Sequence, residues 1–96
     1  MIEIAFSSSF KRAFRKRVQG QASLEARFWE RVIIFQNNPF EPRLKTHKLS
    51  GQLKDLWSFS IEYDVRVIFS FIDDKNALFV DIGTHKEVYW YASGGA

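Results

Sequence analysis

The sequence contains no cysteine and only two histidines, His47 and His85. Without cysteine there is no disulfide framework, and a metal site built on thiolates is excluded. Two histidines are also too few for the usual structural zinc sites. We therefore expect a protein that carries neither a metal nor another cofactor.

Long apolar runs are missing as well. No stretch approaches the ~20 apolar residues that a membrane-spanning helix needs. The stretch Ile2–Phe6 is too short for the apolar region of a secretory signal, and charged residues follow it rather than precede it. These absences predict a cytoplasmic protein with no membrane contact.

Aromatic side chains, in contrast, are abundant. Of the 96 residues, 46% are hydrophobic and 17% aromatic, with 10 Phe, 3 Trp and 3 Tyr. Large flat side chains let a small core bury much area, and this length suits one domain with one core. The net charge of +3 and the pI of about 9.4 favour an acidic partner, with nucleic acid first.

The first half of the sequence predicts a strand and two helices. Ile2–Phe6 alternates as a strand does. One helix is expected to be capped within Ser7–Ser9 and to end at Gly20, and a second to be capped by Ser23 and to end at Asn37–Pro39. Their apolar stripes are Phe10, Phe14 and Val18 in the first, and Leu24, Phe28, Val32 and Phe35 in the second.

Three further strands, over 56–62, 65–72 and 76–82, are predicted after a loop over 40–55. Alternation gives both hairpins one buried face, with Val67 paired to Ile61 on one side and to Ile82 on the other. We therefore predict an α+β fold of order βααβββ. It is an antiparallel four-stranded sheet with a two-helix hairpin packed on one face, and Leu78 and Val80 are expected on the buried side.

The other face of the sheet is predicted to stay open. Its side chains are Ser58, Ser60, Glu62, Arg66, Ile68, Ser70, Phe79 and Asp81. In this register Arg66 lies opposite Gly83, where a tight turn is expected, and His85 follows just beyond. If a short helical turn forms there, His85 and Tyr89 share a side because they are four residues apart.

Basic residues form two clusters. The first, on the first helix, is as well explained by a solvated surface as by phosphate contact; it contains Lys11, Arg12, Arg15, Lys16 and Arg17. The second has no acidic residue between positions 42 and 54 and lies in a loop free to follow a phosphate backbone. It contains His47 and four predicted RNA-binding residues, Arg43, Lys45, Lys48 and Lys54.

Taken singly, Arg66 and His85 have ordinary explanations. Arg66 could form a surface ion pair with Glu62, and His85 could be incidental to the packing of the C-terminal segment. Their convergence on one side of one sheet favours chemistry instead. An imidazole moves protons near neutrality, and a guanidinium neutralises charge that grows in a transition state. Such a set can cleave RNA without metal, with the 2′-hydroxyl of the RNA as nucleophile.

The sequence resembles the RelE/ParE toxin superfamily, and within it the ribosome-dependent endoribonucleases of the RelE and YafQ type. The resemblance is carried by THKLSGQLKDLWSFSI (46–61), DVRVIF (64–69) and DIGTHKEVY (81–89). It implies one RelE-like toxin domain over 1–92 with a flexible tail over 93–96. It also implies a type II toxin that cuts mRNA in the ribosomal A site and is held inactive by an antitoxin encoded alongside.

By position, the resemblance implies catalytic roles for His47, Asp64, Arg66, His85 and Tyr89. Arg66 would hold the scissile phosphate and His85 would protonate the 5′-oxygen. His47 or Asp64 would assist the 2′-hydroxyl, and Tyr89 would stack on or orient the base.

Ser60 stands where a further YafQ-type histidine is expected, which leaves the division of acid and base open. Two alternatives to the nuclease share the fold. One is a ParE-like toxin that poisons DNA gyrase by binding, which needs no proton-transfer set. The other is a non-catalytic RNA- or protein-binding module. The presence of His47 and His85 favours the nuclease.

Overall fold

The computed structural model describes residues 1–49 and 55–92, and side chains up to residue 88. In chain order the elements are β1 (Glu3–Phe6), α1 (Ser8–Arg17), α2 (Ala22–Asn37), a 3₁₀ turn (Pro42–Leu44), β2 (His47–Lys48), β3 (Trp57–Glu62), β4 (Val65–Phe71), β5 (Asn76–Thr84) and α3 (His85–Ala92). The predicted tail over 93–96 lies outside the described residues.

The strands form one mixed sheet of five in the order β1-β5-β4-β3-β2. β1 runs parallel to β5, and the other neighbours are antiparallel. The α+β class and the helical hairpin are as predicted, but the four-stranded antiparallel sheet is wrong. The two-residue strand β2 lies in the expected loop and is too short to show alternation. The direction of β1 is set by a partner some 70 residues away, which no local pattern reveals.

Ser7 begins α1 as predicted, because its Oγ accepts a hydrogen bond from the backbone N–H of Phe10 at 3.0 Å. The predicted cap at Ser23 is wrong, since α2 begins at Ala22 and Gln21 precedes it without a side-chain cap. Gln21 instead donates its side-chain amide to the carbonyl oxygen of Arg17 at 2.6 Å. Gly20, at φ 91°, supplies the left-handed conformation that the reversal between the helices requires.

The core lies between the helical hairpin and the sheet and is built mainly from phenylalanine. The ring of Phe35 from α2 lies 4.9 Å from the rings of both Phe59 and Phe69, centroid to centroid. All three side chains are fully buried. Ring pairs at this distance add stabilisation beyond the area that they bury, so the aromatic-rich sequence compensates for the small size of the domain.

The β3–β4 hairpin is shifted from the predicted register by two residues. Phe59, rather than Ile61, lies opposite Val67. One residue of the shift arises at the turn, where Glu62 pairs with Val65, and the other from the irregular pairing between Ser60 and Glu62. An even shift leaves each side chain on its predicted face, so Ile61 is still buried in the core.

The β4–β5 hairpin contains a bulge that the alternation did not predict. The expected pairs Val67–Ile82 and Arg66–Gly83 are present. After Ile68 the register slips by one, which exchanges the two faces of the strand beyond that point. The core positions expected for Leu78 and Val80 are therefore taken by Ala77 and Phe79.

The opposite face of the sheet is less open than predicted. α3 packs against β4 and β5, and its Val88 is buried. Ile68, expected on the open face, is also fully buried although it lies outside the main core cluster. No helix in the described part of the chain is long and apolar enough to span a membrane.

Candidate functional site

The sheet brings His47, Ser60 and Arg66 to the same face. His47 of β2 pairs with Ser58, and Ser60, two residues further along β3, pairs with Arg66 of β4. Directly paired residues and residues two apart project to the same side. With ordinary strand spacings, the Cα atoms of His47 and Arg66 are about 12 Å apart, so a ligand on this face can contact both side chains.

Arg66 presents a half-buried guanidinium. Its Nη1 donates to Ser60 Oγ at 3.3 Å, while its Nε is buried without a hydrogen-bond partner among the described residues. Within that part of the chain, no ion pair with Glu62 forms. A buried donor without a partner needs an explanation, and a planar cationic fork is suited to phosphate oxygens.

Arg66 lines a cleft of about 330 Å³ at the outer edge of β3, beyond the two residues that pair with β2. Among the described residues, five cationic side chains and one acidic side chain line it; the described lining is Arg27, Arg31, Arg43, Lys45, Ser60, Glu62, Tyr63 and Arg66. A cleft lined mostly by charges of one sign concentrates its field. The cleft is therefore built for an anion.

Arg27 and Arg31 were given no role by the sequence analysis. They lie four residues apart on α2, which places them on one side of that helix. That spacing was the available signal, but the sequence does not say which element this side of the helix faces. The fold turns it toward the 3₁₀ turn and the edge of β3.

Arg43, a predicted RNA contact, is already engaged. Its Nε donates to Glu41 Oε1 at 2.7 Å and its backbone N–H to Glu41 Oε2 at 2.6 Å. The hydrogen bond from the Arg43 side chain is the main reason that the pKa of Glu41 lies below its ordinary value. Glu41 precedes the acid-free run by one residue, so the run itself gives no sign of this partner. Lys45 lines the same cleft without such a partner among the described residues.

His47 is exposed, and its Nδ1 lies 2.9 Å from the carbonyl oxygen of Lys45. Because a carbonyl only accepts, Nδ1 carries the proton in this hydrogen bond. The neutral ring then presents Nε2 as a proton acceptor.

The start of α3 is fixed by a set of mutual hydrogen bonds. Asp64, in the β3–β4 turn, accepts from the backbone N–H of His85 at 3.2 Å. Thr84 Oγ1 accepts from the N–H of Glu87 at 3.3 Å, and Glu87 Oε1 accepts from the N–H of Thr84 at 2.7 Å. The second and third bonds form a capping box, and its T-x-x-E signature was present in the sequence. His85 itself is exposed beside this anchor.

Glu87 also ties α3 to α1 through an ion pair with Arg17 at 2.6 Å. The Arg17 guanidinium, together with the Thr84 N–H, lowers the pKa of Glu87 from 4.5 to about 2. Gly83 does not end the strand in a tight turn as predicted, since β5 continues to Thr84. A Cβ at Gly83 would lie 3.0 Å from Glu87 Oε1, so glycine allows the close approach of Glu87.

The predicted site residues thus fall into two connected groups. Arg43, Lys45 and Arg66 line the cleft. Asp64, in the β3–β4 turn, and His85, at the start of α3, are joined by a hydrogen bond. The other predicted residues belong to neither group. His47 and Lys48 are exposed on β2. Tyr89 lies on α3, but its side chain is outside the described part of the structure, and Lys54 lies outside the described residues altogether. Over the described ranges, no group of three His, Asp or Glu side chains could hold a metal ion.

Several solved structures of bacterial toxins share this fold. The metal-bound toxin from Helicobacter pylori is 23% identical, with a TM-score of 0.74 over 92% of this chain and 99% of that one. The toxin–antitoxin heterotetramer YoeB–YefM from Staphylococcus aureus contains a chain that is 20% identical, with a TM-score of 0.70 over 88% of this chain and 98% of that one. The DinJ–YafQ complex from E. coli contains a chain that is 23% identical, with a TM-score of 0.64 over 93% of this chain and 99% of that one. At these identities the likeness shows the shared fold, that of RelE-like toxins.

The family is shown by the sequence itself. The profile of the family described as "Bacterial toxin of type II toxin-antitoxin system, YafQ" matches residues 2–89. The chain therefore belongs to the YafQ toxin family and is a toxin of a type II toxin–antitoxin pair. No curated protein sequence matches it.

Proposed function

We propose that this toxin is a metal-independent endoribonuclease that cuts mRNA in the ribosomal A site and so inhibits translation. One observation carries the proposal: Arg66 lines a strongly cationic cleft, and its buried Nε has no hydrogen-bond partner among the described residues. A cleft of this kind selects an anionic polymer over a neutral ligand. The proposed reaction uses the 2′-hydroxyl of the RNA to attack the adjacent phosphorus.

In the proposed reaction, Arg66 binds the non-bridging oxygens of the scissile phosphate. Attack by the 2′-hydroxyl places additional negative charge on those oxygens, which the guanidinium stabilises more strongly than in the ground state. The bond from phosphorus to the 5′-oxygen then breaks. The products are a 2′,3′-cyclic phosphate and a 5′-hydroxyl.

Two proton transfers accompany this step. His85, whose backbone is held by Asp64, is the proposed general acid that protonates the leaving 5′-oxygen. His47 is the proposed base, because its Nδ1 is engaged with the Lys45 carbonyl and its Nε2 is left to accept the 2′-proton. Asp64 then serves to position the acid rather than to take a proton.

The remaining predicted residues have roles in binding. Lys45, Lys48 and Lys54, together with the engaged Arg43, are proposed to contact ribosomal and messenger phosphates. The ring of Tyr89 is proposed to stack on a base of the codon. The proposed protein partner is a cognate antitoxin, as in the YoeB–YefM toxin–antitoxin complex.

The proposal is tested by inducing the toxin in cells and mapping RNA ends that carry a 5′-hydroxyl. We expect new ends inside translated frames and translation arrest. The Arg66→Ala variant should produce neither, while the matched charge change Arg12→Ala on α1 should produce both. Filamentation with DNA damage but intact mRNA would support a gyrase poison instead. Growth arrest with neither effect would support a non-catalytic module.

A further inference from the structure

The cationic cleft has a second wall that the proposed reaction does not use. Arg31 of α2 donates from Nη1 to the carbonyl oxygen of Arg43 at 2.9 Å, which holds its guanidinium against the 3₁₀ turn. Its Nε is buried and lacks a hydrogen-bond partner within the described residues. Arg27, one helical turn earlier, lines the same cleft.

Two arginines that line the cleft, Arg31 on the helix and Arg66 on the sheet, thus each have a buried guanidinium Nε without a hydrogen-bond partner among the described residues. Burying such a group without a partner costs free energy. Two of these groups in one cleft favour a ligand that brings acceptors to both walls.

The neighbouring acids balance the helical wall only in part: Glu41, whose pKa is lowered chiefly by its hydrogen bond with Arg43, is also attracted to Arg31. Arg43 is paired with Glu41, whereas the contact of Arg27 with Glu30 is long, at 3.9 Å, and exposed. Glu62 is the single acidic residue among the described residues of the lining. One phosphodiester carries one negative charge, so the free cations exceed what the scissile phosphate alone can balance.

We infer that the cleft binds two consecutive phosphodiesters of a single RNA strand, with the neighbouring phosphate held by Arg27 and Arg31. Arg66 takes the other phosphate. The volume of about 330 Å³ lies at the lower end of the range for ligand sites, ~300–1,000 Å³. The assignment of Arg66 to the scissile phosphate rests on the proposed function, but the presence of a second phosphate subsite does not.

The number of phosphates is tested with short 2′-O-methyl RNAs, which cannot be cleaved through the 2′-oxygen. A dinucleoside monophosphate has one phosphodiester and a trinucleoside diphosphate has two. Binding is followed by NMR on ¹⁵N-labelled protein, with the arginine Nε–H signals assigned. We expect the trinucleotide to bind at least tenfold more tightly and to shift the Nε–H signals of both Arg31 and Arg66.

Paired variants separate this subsite from general charge. In Arg27→Gln/Arg31→Gln the tenfold gain from the second phosphate should disappear, while dinucleotide affinity falls less than threefold. The control Arg12→Gln/Lys16→Gln removes the same charge from α1 and should keep the gain. Because Arg31 also anchors the 3₁₀ turn, Arg27→Gln alone serves as a variant that leaves that contact intact, and it should lose part of the gain.

Three results would overturn the inference: no gain in the wild-type protein, a gain that survives in the double variant, or an Arg31 Nε–H signal that the trinucleotide leaves unmoved. The fate of the proposed function is separate. If the trinucleotide binds tenfold more tightly but ribosome-bound mRNA is not cleaved, the proposed nuclease is overturned and the second phosphate subsite stands. If mRNA is cleaved but the trinucleotide binds no more tightly than the dinucleotide, the subsite is overturned and the nuclease stands.

Discussion

The backbone N–H of His85 donates a hydrogen bond to the carboxylate of Asp64 at 3.2 Å. The two residues are 21 positions apart, and the pairing of β4 with β5 brings them together. Asp64 thereby fixes the position of the first residue of α3 and of the His85 backbone that carries the imidazole. The sequence left open whether His47 or Asp64 assists the 2′-hydroxyl, and this contact adds the positioning of His85 as a further role to test for Asp64.

Asp64→Asn should retain most cleavage activity, because the amide oxygen can still accept from the His85 N–H. Asp64→Ala removes the acceptor and should lower stability by ~1 kcal/mol, as for a lost helix cap. Its cleavage rate should fall by about 10²-fold, which is the scale of a small misplacement of a catalytic group. Single-turnover cleavage of ribosome-bound mRNA measures the difference. Equal, large losses in both variants would make Asp64 the base.

The ion pair between Glu87 and Arg17 should make stability depend on acid pH. The folded pKa of Glu87, about 2, is depressed from 4.5 by Arg17 and the Thr84 N–H. A depressed folded pKa stabilises the protein above pH 4.5, and this contribution is lost as the pH falls toward 2. Urea unfolding should therefore show a gap in unfolding free energy between the wild type and Glu87→Gln that closes over this window.

Glutamine is the suitable replacement because it can still complete the capping box while it lacks the charge. Glu3→Gln is the matched control, since Glu3 is exposed and forms no ion pair within the described residues. Above pH 4.5, the difference in unfolding free energy between the wild type and Glu3→Gln should be smaller than that between the wild type and Glu87→Gln. A Glu87→Gln gap that does not change with pH would mean that the ion pair contributes nothing to folding.

Much of this architecture could be predicted from local patterns. Alternation and helical spacing located the helices and the long strands. The even register shift at Ile61 did not change the prediction of its buried face, because side-chain faces repeat every two residues. The bulge after Ile68 made the predicted faces wrong, because one inserted residue exchanges the faces and brings Phe79 into the core. A bulge leaves no mark on hydropathy when both alternating sets, as in Leu78, Phe79 and Val80, are apolar.

The site was less accessible to such reasoning. The placement of Arg66 beside Gly83, with His85 just beyond, could be predicted from strand pairing, whereas Asp64 was assigned from the resemblance alone. The position of Arg27 and Arg31 in the cleft could not be predicted, because it depends on how α2 packs beside a loop that is remote in sequence. The binding role predicted for Arg43 was weakened by Glu41, a neighbour just outside the basic run.

The basic loop should supply ribosome affinity through phosphate contacts. Replacing Lys45, Lys48 and Lys54 together with glutamine should weaken ribosome binding and flatten its dependence on salt, since each lost phosphate contact retains its counterions. A triple variant of Lys11, Arg12 and Lys16 on α1 is the control with equal charge. If the control flattens the salt dependence and the loop variant does not, the docking surface is α1.

Arg66→Ala should keep the melting temperature within a few degrees, because the guanidinium contributes one long hydrogen bond to Ser60. Cleavage should fall by ~10²-fold or more if the guanidinium meets charge that grows in the transition state. Arg66→Lys should recover little, because an ammonium group lacks the planar fork. Circular dichroism and single-turnover kinetics on the same preparations measure both effects. A fully active, folded Arg66→Ala protein would remove Arg66 from the site.

His85→Gln should cut turnover strongly while ribosome binding survives, because glutamine is polar but cannot act as an acid near neutrality. The backbone bond to Asp64 is unaffected by this change, so a loss of rate reports on the ring rather than on the start of α3. Tyr89→Phe should be milder than Tyr89→Ala if stacking is the main role of that ring. If His85→Gln cleaves at the wild-type rate, the leaving oxygen must take its proton from His47 or a lysine, and the anchoring by Asp64 would serve the fold alone.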